Sequence, residues 1–298
     1  MGVAFALLAM LSFATNIMIT RYAVARMPVE SGFFIVLATN ILFPALLLPF
    51  ELAVRTAPPA WNWHAVGIFA IGGIVGTFLG RRFLFDTVRV LGPSRASVFH
   101  STAPAFALLG AWLLAGERLG SYEIVLMAVV WVGLWFTQPR ASSPAGGARV
   151  PVVDARRGFI SGLLTVAGFG LGNVLRGLAM RSWDEAVLGT VIASSAALAC
   201  QLVATRNWGR VTAQFRAADR AAIGLYVGCG VFTAMGSIFV SHAMTRMEIA
   251  LAVLVVHTTP LVIFPVSVFI LKHKEELNPR TVLGALMVLS GIALLAVR

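Results

Sequence analysis

Apolar residues run along this chain in long unbroken blocks, not in the short alternation of half-buried strands. Ten blocks lie at approximately 2–20, 31–54, 64–83, 95–115, 121–138, 158–180, 184–205, 221–243, 247–271 and 281–297. A helix needs about 20 mostly apolar residues to cross the hydrocarbon core of a bilayer, and only the third block is marginal in length. In lipid every backbone polar group must be satisfied internally, so helices or closed barrels are the spanning structures. A barrel would show short alternating segments instead. The pattern therefore predicts an all-α integral membrane protein with ten transmembrane helices. The opening MGVAFALLAMLSFATN has the length of a signal peptide but no basic n-region, and nine more apolar blocks follow; it reads as a retained first helix.

Composition agrees. Hydrophobic residues make up 59% of the 298 and charged residues only 12%, against roughly 25% charged in soluble domains. A net charge of +11 would suggest a nucleic-acid partner in a soluble protein. Here the basic residues mostly lie between blocks, where they orient the chain and meet anionic headgroups, so lipid and not nucleic acid is the expected partner. Cys200 and Cys229 sit inside blocks, with no disulfide or metal spacing. No metal or cofactor is expected, and the lack of a Walker loop disfavours ATP-driven work.

Two phrases recur. VFHSTAPAF (98–106) and VVHTTPLVI (255–263) each place a histidine about a turn before a proline, and Pro104 and Pro260 are 156 residues apart (260 − 104). The same shift superimposes Leu7 and Leu8 on Leu163 and Leu164, and Phe13 on Phe169. It also carries Gly72, Thr77, Gly80 and Phe83 onto Gly228, Thr233, Gly236 and Phe239. Between the halves, TQPRASSPAGGARVPVVDARR reads as a linker by composition. The expected organisation is a five-helix repeat over 1–138, a linker over 139–157 and a second five-helix repeat over 158–298.

An odd number of spans per half makes the second half enter the membrane the opposite way, giving two inverted repeats. The charges follow: Arg21, Arg26, Arg81, Arg82, Arg89 and Arg95 come after spans one and three, against Arg55 and Arg118 after spans two and four, and the bias reverses in the second half. Inverted repeats characterise secondary transporters, whose substrate site lies near the midplane between the halves.

RASVFHSTAPAFALLGAWLLAGERL (95–119), with its small residues, its proline and its closing Gly-Glu-Arg, resembles the drug/metabolite transporter superfamily, EamA type. EIALAVLVVHTTPLVIFPVSVFILKHKEEL (248–277) is the second copy, with Glu275 or Glu276 in the glutamate's place. The resemblance implies a ten-helix transporter of small organic solutes, often an exporter, with both termini in the cytoplasm. The positive-inside rule implies the reverse orientation, unless Arg81 and Arg82 belong to an interior cavity. The chain departs from the family in its very short termini and in having no tryptophan-glycine pair early in its first helix, which leaves the substrate open.

Ionisable groups inside a membrane cost several kcal/mol, roughly 2.5–3.5 on the insertion scale, and so call for a reason. His257 and His100 are substrate-binding or proton-handling candidates; their alternative is a neutral ring bonded to a neighbouring helix. Pro104 and Pro260 are expected to kink their helices and free a carbonyl beside each histidine, with Ser101, Thr102, Thr258 and Thr259 able to satisfy it. Asn16 and Asn173 recur at a shift of 157 (173 − 16) and suit a polar substrate or a helix–helix bond. Arg176, one turn past Asn173, suits a carboxylate or phosphate if it faces inward and otherwise snorkels to the interface. Asn40, Asp86, His242 and Glu248 are weaker candidates.

Gly72, Gly76 and Gly80, and again Gly224 and Gly228, read as helix-packing seams. Glu117 and the Glu275–Glu276 pair read as interfacial turns. Trp61, Trp63, Trp131, Trp135, Trp183 and Trp208 suit an aromatic belt, while Trp112 lies deep enough to line a cavity. The sequence thus points to a secondary transporter, an exporter of a small organic metabolite such as an amino acid, with protons as a candidate coupling ion. It would be multi-pass in a cell membrane of bacterial inner-membrane type, as a monomer or homodimer. The competing class is a membrane enzyme acting on a lipid or isoprenoid; such enzymes cluster acidic residues at a membrane face, and this chain has 12 Asp and Glu with no such cluster. A scaffold subunit or a channel would show no saturable solute flux.

Overall fold

The computed structural model describes residues 1–54, 60–91, 99–100, 102–118, 120–137 and 152–259, with isolated helical positions between 262 and 294. Pro260, Ser101, the Glu275–Glu276 pair and part of the tenth block lie outside the described residues. All regular structure among the described residues is helical: α1 (Gly2–Val24), α2 (Val29–Val54), α3 (Trp63–Gly72), a π-helical segment (Gly73–Gly80), α4 (Arg81–Leu91), α5 (Ala103–Ala115), α6 (Ser121–Thr137), α7 (Val152–Ser182), α8 (Ala186–Ala204), α9 (Trp208–Ala217), α10 (Arg220–Met244) and α11 (Ile249–His257).

Among the described residues six helices are long and apolar enough to cross a bilayer: α1, α2, the continuous α3–π–α4 rod over Trp63–Leu91, α7 over Arg156–Ser182, α8 and α10. The third block, marginal as 64–83, is a 29-residue helix. Its last turns carry Asp86 and Arg89 past the apolar stretch. α7 starts at Val152, inside the stretch expected as linker. Helix limits follow local chemistry. Asn62 and Asn207 accept backbone N–H bonds from Ala65 (3.1 Å) and Arg210 (3.0 Å) at the starts of α3 and α9. Gly116, left-handed at φ 65°, ends α5.

The span 206–220 was expected only as a basic connection, yet α9 forms within it. Trp208 packs its ring 5.6 Å from that of Phe34, and Val211 is buried, while Arg210 and Arg216 remain exposed. One apolar face and one basic face suit an interfacial helix.

The two halves do not form separate bundles. α1 packs most extensively on α10, and α7 on the α3–π–α4 rod and on α5; α2 packs on α8, and α5 on α11. Under the 156-residue shift these pairings map onto one another. Both large pairs are antiparallel. Gly2 abuts Arg246 at one end of α1 while Arg26 pairs with Asp219 (2.8 Å) at the other. Gly158 abuts Leu91, and Asn62 donates to the Ser182 carbonyl (3.2 Å).

Glycines set how closely α7 meets the rod. A Cβ at Gly172 would stand 2.5 Å from the Gly76 Cα, and one at Gly168 would stand 2.9 Å from the Gly80 Cα. The seam expected in the second half differs. Gly224 has nothing within 4 Å of its Cβ direction and Gly228 only ordinary contact with Ile19 at 3.7 Å. There the shifted partner of the Gly80–Phe169 contact is Gly236 against Phe13, a ring in place of a backbone.

Asp219 caps α10, accepting the Ala222 N–H at 2.7 Å. That bond first, then Arg26, holds its carboxyl below the ordinary carboxylate range. A depressed pKa stabilises the fold above the unfolded carboxylate value, and the contribution is lost as pH falls through the folded value. Asp219→Asn is expected to lower the melting temperature slightly at neutral pH and to flatten its decline between about pH 4 and 3. Melting curves across that range check this.

Candidate functional site

The two repeated phrases meet. His100, in the helical turn before α5, and His257, the last residue of α11, lie with ring centroids 5.3 Å apart at 56°. His100 also stacks on Phe169 of α7 at 5.1 Å and 21°. The His257 Nδ1 lies 2.9 Å from the Val253 carbonyl oxygen. A carbonyl only accepts, so Nδ1 carries the proton and the neutral ring presents Nε2 as an acceptor. Nε2 is buried and has no partner among the described residues.

Pro104 does not sit at the expected mid-helix kink. Pro104 occupies the first turn of α5, where its missing N–H costs no helical bond, so it starts a helix instead of bending one. α11 stops at His257, just before Pro260, whose own geometry lies outside the described residues. The hydroxyls of Thr102, Thr258 and Thr259 donate to the carbonyls of Phe99 (2.7 Å), Val255 (2.6 Å) and Val256 (2.6 Å). They close these helix ends, and Thr258 also reaches the Met10 sulfur at 3.1 Å.

Asn173 and Arg176 follow Phe169 at helical spacing, so the three share one stripe of α7. That stripe faces the histidine pair at Phe169; Arg176 lies about 10 Å farther along the axis. The Asn173 amide donates to the Phe169 carbonyl (3.0 Å), a bond within its own helix. Asn16 is placed on the opposite wall. Its amide oxygen and its carbonyl oxygen accept from Thr20 (3.4 and 2.8 Å), and Thr20 touches the Cys229 sulfur of α10 at 3.3 Å.

Arg81 joins these groups. It is the first residue after the π-helical segment, with its guanidinium 4.9 Å above the centroid of the buried Phe33 ring. It lies within electrostatic reach of both Cys229 and His100. Its neighbour Arg82 is exposed. The charge count had left Arg81 open between loop and cavity, and the structure puts it inside. The signal available in sequence was its position directly after a glycine-rich run. Asn40, on the α2 stripe that carries Phe33 and Leu37, is buried with its Oδ1 unpartnered among the described residues.

Three expectations about other residues change. Trp112 is 59% exposed on the outer face of α5, away from the interior. Trp183 is buried, donating its indole N–H to the Ala60 carbonyl (2.8 Å), and so belongs to the core and not the belt. Glu117 is no surface turn: its oxygens accept the N–H groups of Ile249 (2.7 Å) and Ala250 (3.3 Å), and Oε1 also pairs with Arg181. It therefore caps α11 from the other half of the chain. His242 and Asp184 approach within 3.9 Å, and Asp86 and Arg157 within 3.7 Å, both near helix ends. The latter pair lines an open surface cleft of about 420 Å³ between α4 and α7 that is separate from the histidine pair. Among the described residues no three His, Cys, Asp or Glu side chains are grouped to hold a metal ion.

A multi-span helical protein whose repeated halves converge on buried polar groups is a membrane transporter in architecture. The chain matches the EamA-like transporter family over residues 1–138 and 156–297, and it belongs to that family, within the drug/metabolite transporter superfamily. It is accordingly a multi-pass membrane protein that transports small molecules in a lipid environment. No curated protein matches it. A solved structure described as "Crystal structure of protein" is similar with a TM-score of 0.72, covering 98% of this chain and 96% of the other at 16% identity, a likeness of fold alone.

Proposed function

We propose that the protein is a secondary active transporter, an exporter of a small organic metabolite such as an amino acid or a related compound. It works by alternating access between two inverted five-helix repeats, ten spans in all, with 1–138 and 158–298 as the repeats and 139–157 joining them. The observation that carries this reading is the meeting of His100 and His257, one from each half, at 5.3 Å where the halves cross. The antiparallel α1–α10 and α7–α4 pairs support inversion, because spans one and three of a half run the same way. The turn at Thr102 before α5 and the end of α11 at His257 put a helix terminus at each histidine phrase, as at the broken helices of carriers.

Asn16, His100, Asn173, Arg176 and His257 line the substrate path, and the free Nε2 of His257 accepts a proton or a substrate hydrogen. One chain carries both halves, so a monomer completes the site, and a homodimer would hold two. The proposed location is a bacterial inner membrane, on the family match alone.

The test is flux into proteoliposomes of compounds first found by thermal shift among amino acids, polyamines, nucleosides, sugars and vitamins. A ligand of the folded state raises its melting temperature by mass action. Saturable flux that is lost with His257→Ala is the expected result; binding without flux in folded protein would overturn the carrier reading. For the proton, His257→Gln is expected to abolish flux driven by a pH gradient while sparing counterflow, and unchanged coupling would remove the proton from His257.

A further inference from the structure

We infer that the transported solute is an organic anion whose carboxylate or phosphate oxygens are received by Arg81; this rests on the carrier reading above. Arg81 points into the protein, against Phe33 and near His100 and Cys229. Among the described residues it has neither an acidic partner nor a hydrogen-bond acceptor, and the same holds for Arg176. Ion pairs seen among the described residues, such as Arg26–Asp219, Arg157–Asp86, Arg181–Glu117 and His242–Asp184, lie at helix ends. A guanidinium offers five donors in a planar fork that matches a carboxylate or phosphate. Both arginines are half-buried; a guanidinium drawn away from water is ordinarily paired, and no described residue supplies the partner.

The repeat sharpens the point. The 156-residue shift puts Ser237 opposite Arg81 and Thr20 opposite Arg176. Hydroxyls line the α1–α10 wall where guanidinium groups line the α4–α7 wall. The two walls are thus related by the repeat but differ in charge, and an anionic head would be drawn to the α4–α7 side. Arg82, exposed one residue on, already serves the interface, so anchoring the helix end does not require Arg81.

The test compares each acid with its neutral analogue on the whole detergent-solubilised chain: L-glutamate with L-glutamine, succinate with succinamide, glycerol 3-phosphate with glycerol, and spermidine as a cation. The acids are expected to raise the melting temperature and the neutral analogues not, with the succinate and glycerol 3-phosphate arms separating carboxylate from phosphate recognition. Arg81→Gln is expected to weaken the acid roughly 10- to 100-fold, Arg81→Lys less, and Arg82→Gln not at all. Should Arg81→Gln fail to fold, the acid–amide contrast on the unmodified protein and on Arg81→Lys decides. Equal binding of acid and amide, a preference for spermidine, or unchanged acid affinity in Arg81→Gln would overturn the inference. A neutral or cationic compound that binds and crosses the membrane ends this inference while the carrier reading stands; silence across the whole set in folded protein ends both.

Discussion

Replacing Glu117 with alanine is expected to lower the melting temperature by roughly 5–10 °C, from a loss of about 3 kcal/mol. The carboxylate is 8% exposed and serves three groups at once: the N–H of Ile249, the N–H of Ala250 and the Arg181 guanidinium. The first N–H groups of a helix have no partner inside it, and α11 begins where water is excluded, since Ile249 and Ala250 are fully buried. Alanine leaves both amides unsatisfied, at about 1–3 kcal/mol for each buried group. Arg181 adds least, because its side chain is 37% exposed and reaches solvent once released. Glu117→Gln keeps one acceptor and should fall between. Melting of the three proteins in the same detergent measures this, and an alanine variant as stable as the parent would show that α11 is held by its apolar contacts alone. Because Glu117 follows α5 and α11 carries His257, loosening this cap should also weaken any ligand of the histidine pair.

Gly172→Ala is expected to cost about as much, roughly 3 kcal/mol, by forcing backbone from backbone. The new Cβ would stand 2.5 Å from the Gly76 Cα and 2.8 Å from its nitrogen. Neither atom can rotate away, so α7 must lift from the π-helical segment. Gly73→Ala meets the same obstacle on the rod's other side, at 2.1 Å from the Ala193 carbonyl oxygen. Gly224→Ala is the matched control. Its Cβ enters open space, and alanine is a better helix former than glycine by about 1 kcal/mol. The yield and melting temperature of folded protein should fall for Gly172→Ala and Gly73→Ala and hold or rise for Gly224→Ala. A neutral Gly172→Ala would mean that the two helices are free to part at no cost. The π-helical turn lies directly before Arg81, so separating these helices should also turn Arg81 away from Phe33 and reduce anion binding.

Much of the architecture was legible in the chain. Long apolar blocks can only be helices in lipid, and the 156-residue shift that matches Gly80 with Gly236 and Phe13 with Phe169 also relates two contacts in the structure, Gly80 with Phe169 and Gly236 with Phe13. The recurring histidine phrases singled out His100 and His257, whose rings the structure places 5.3 Å apart. Other features were beyond reach. The π-helical turn leaves no periodic signature in a run where nearly every residue is apolar. Trp112 looked central by position along its block, but position along a helix does not say which way a side chain faces, and a uniformly apolar helix hides the difference between lipid and core.

The sequence by itself determined the solvent, the helices and the two-fold repetition, because the bilayer demands internally bonded backbone and apolar length. Which helices meet was decided only by tertiary structure. Whether α1 seeks α10 or a nearer neighbour depends on the shape match of glycines and rings, which hydropathy does not encode. That packing turned Glu117 from a turn residue into the cap of a distant helix and set the Arg81 guanidinium over the buried Phe33 ring. It also brought His100 and His257 together from opposite halves, since a contact across 157 residues (257 − 100) is fixed by how the helices fit and not by anything local to either phrase.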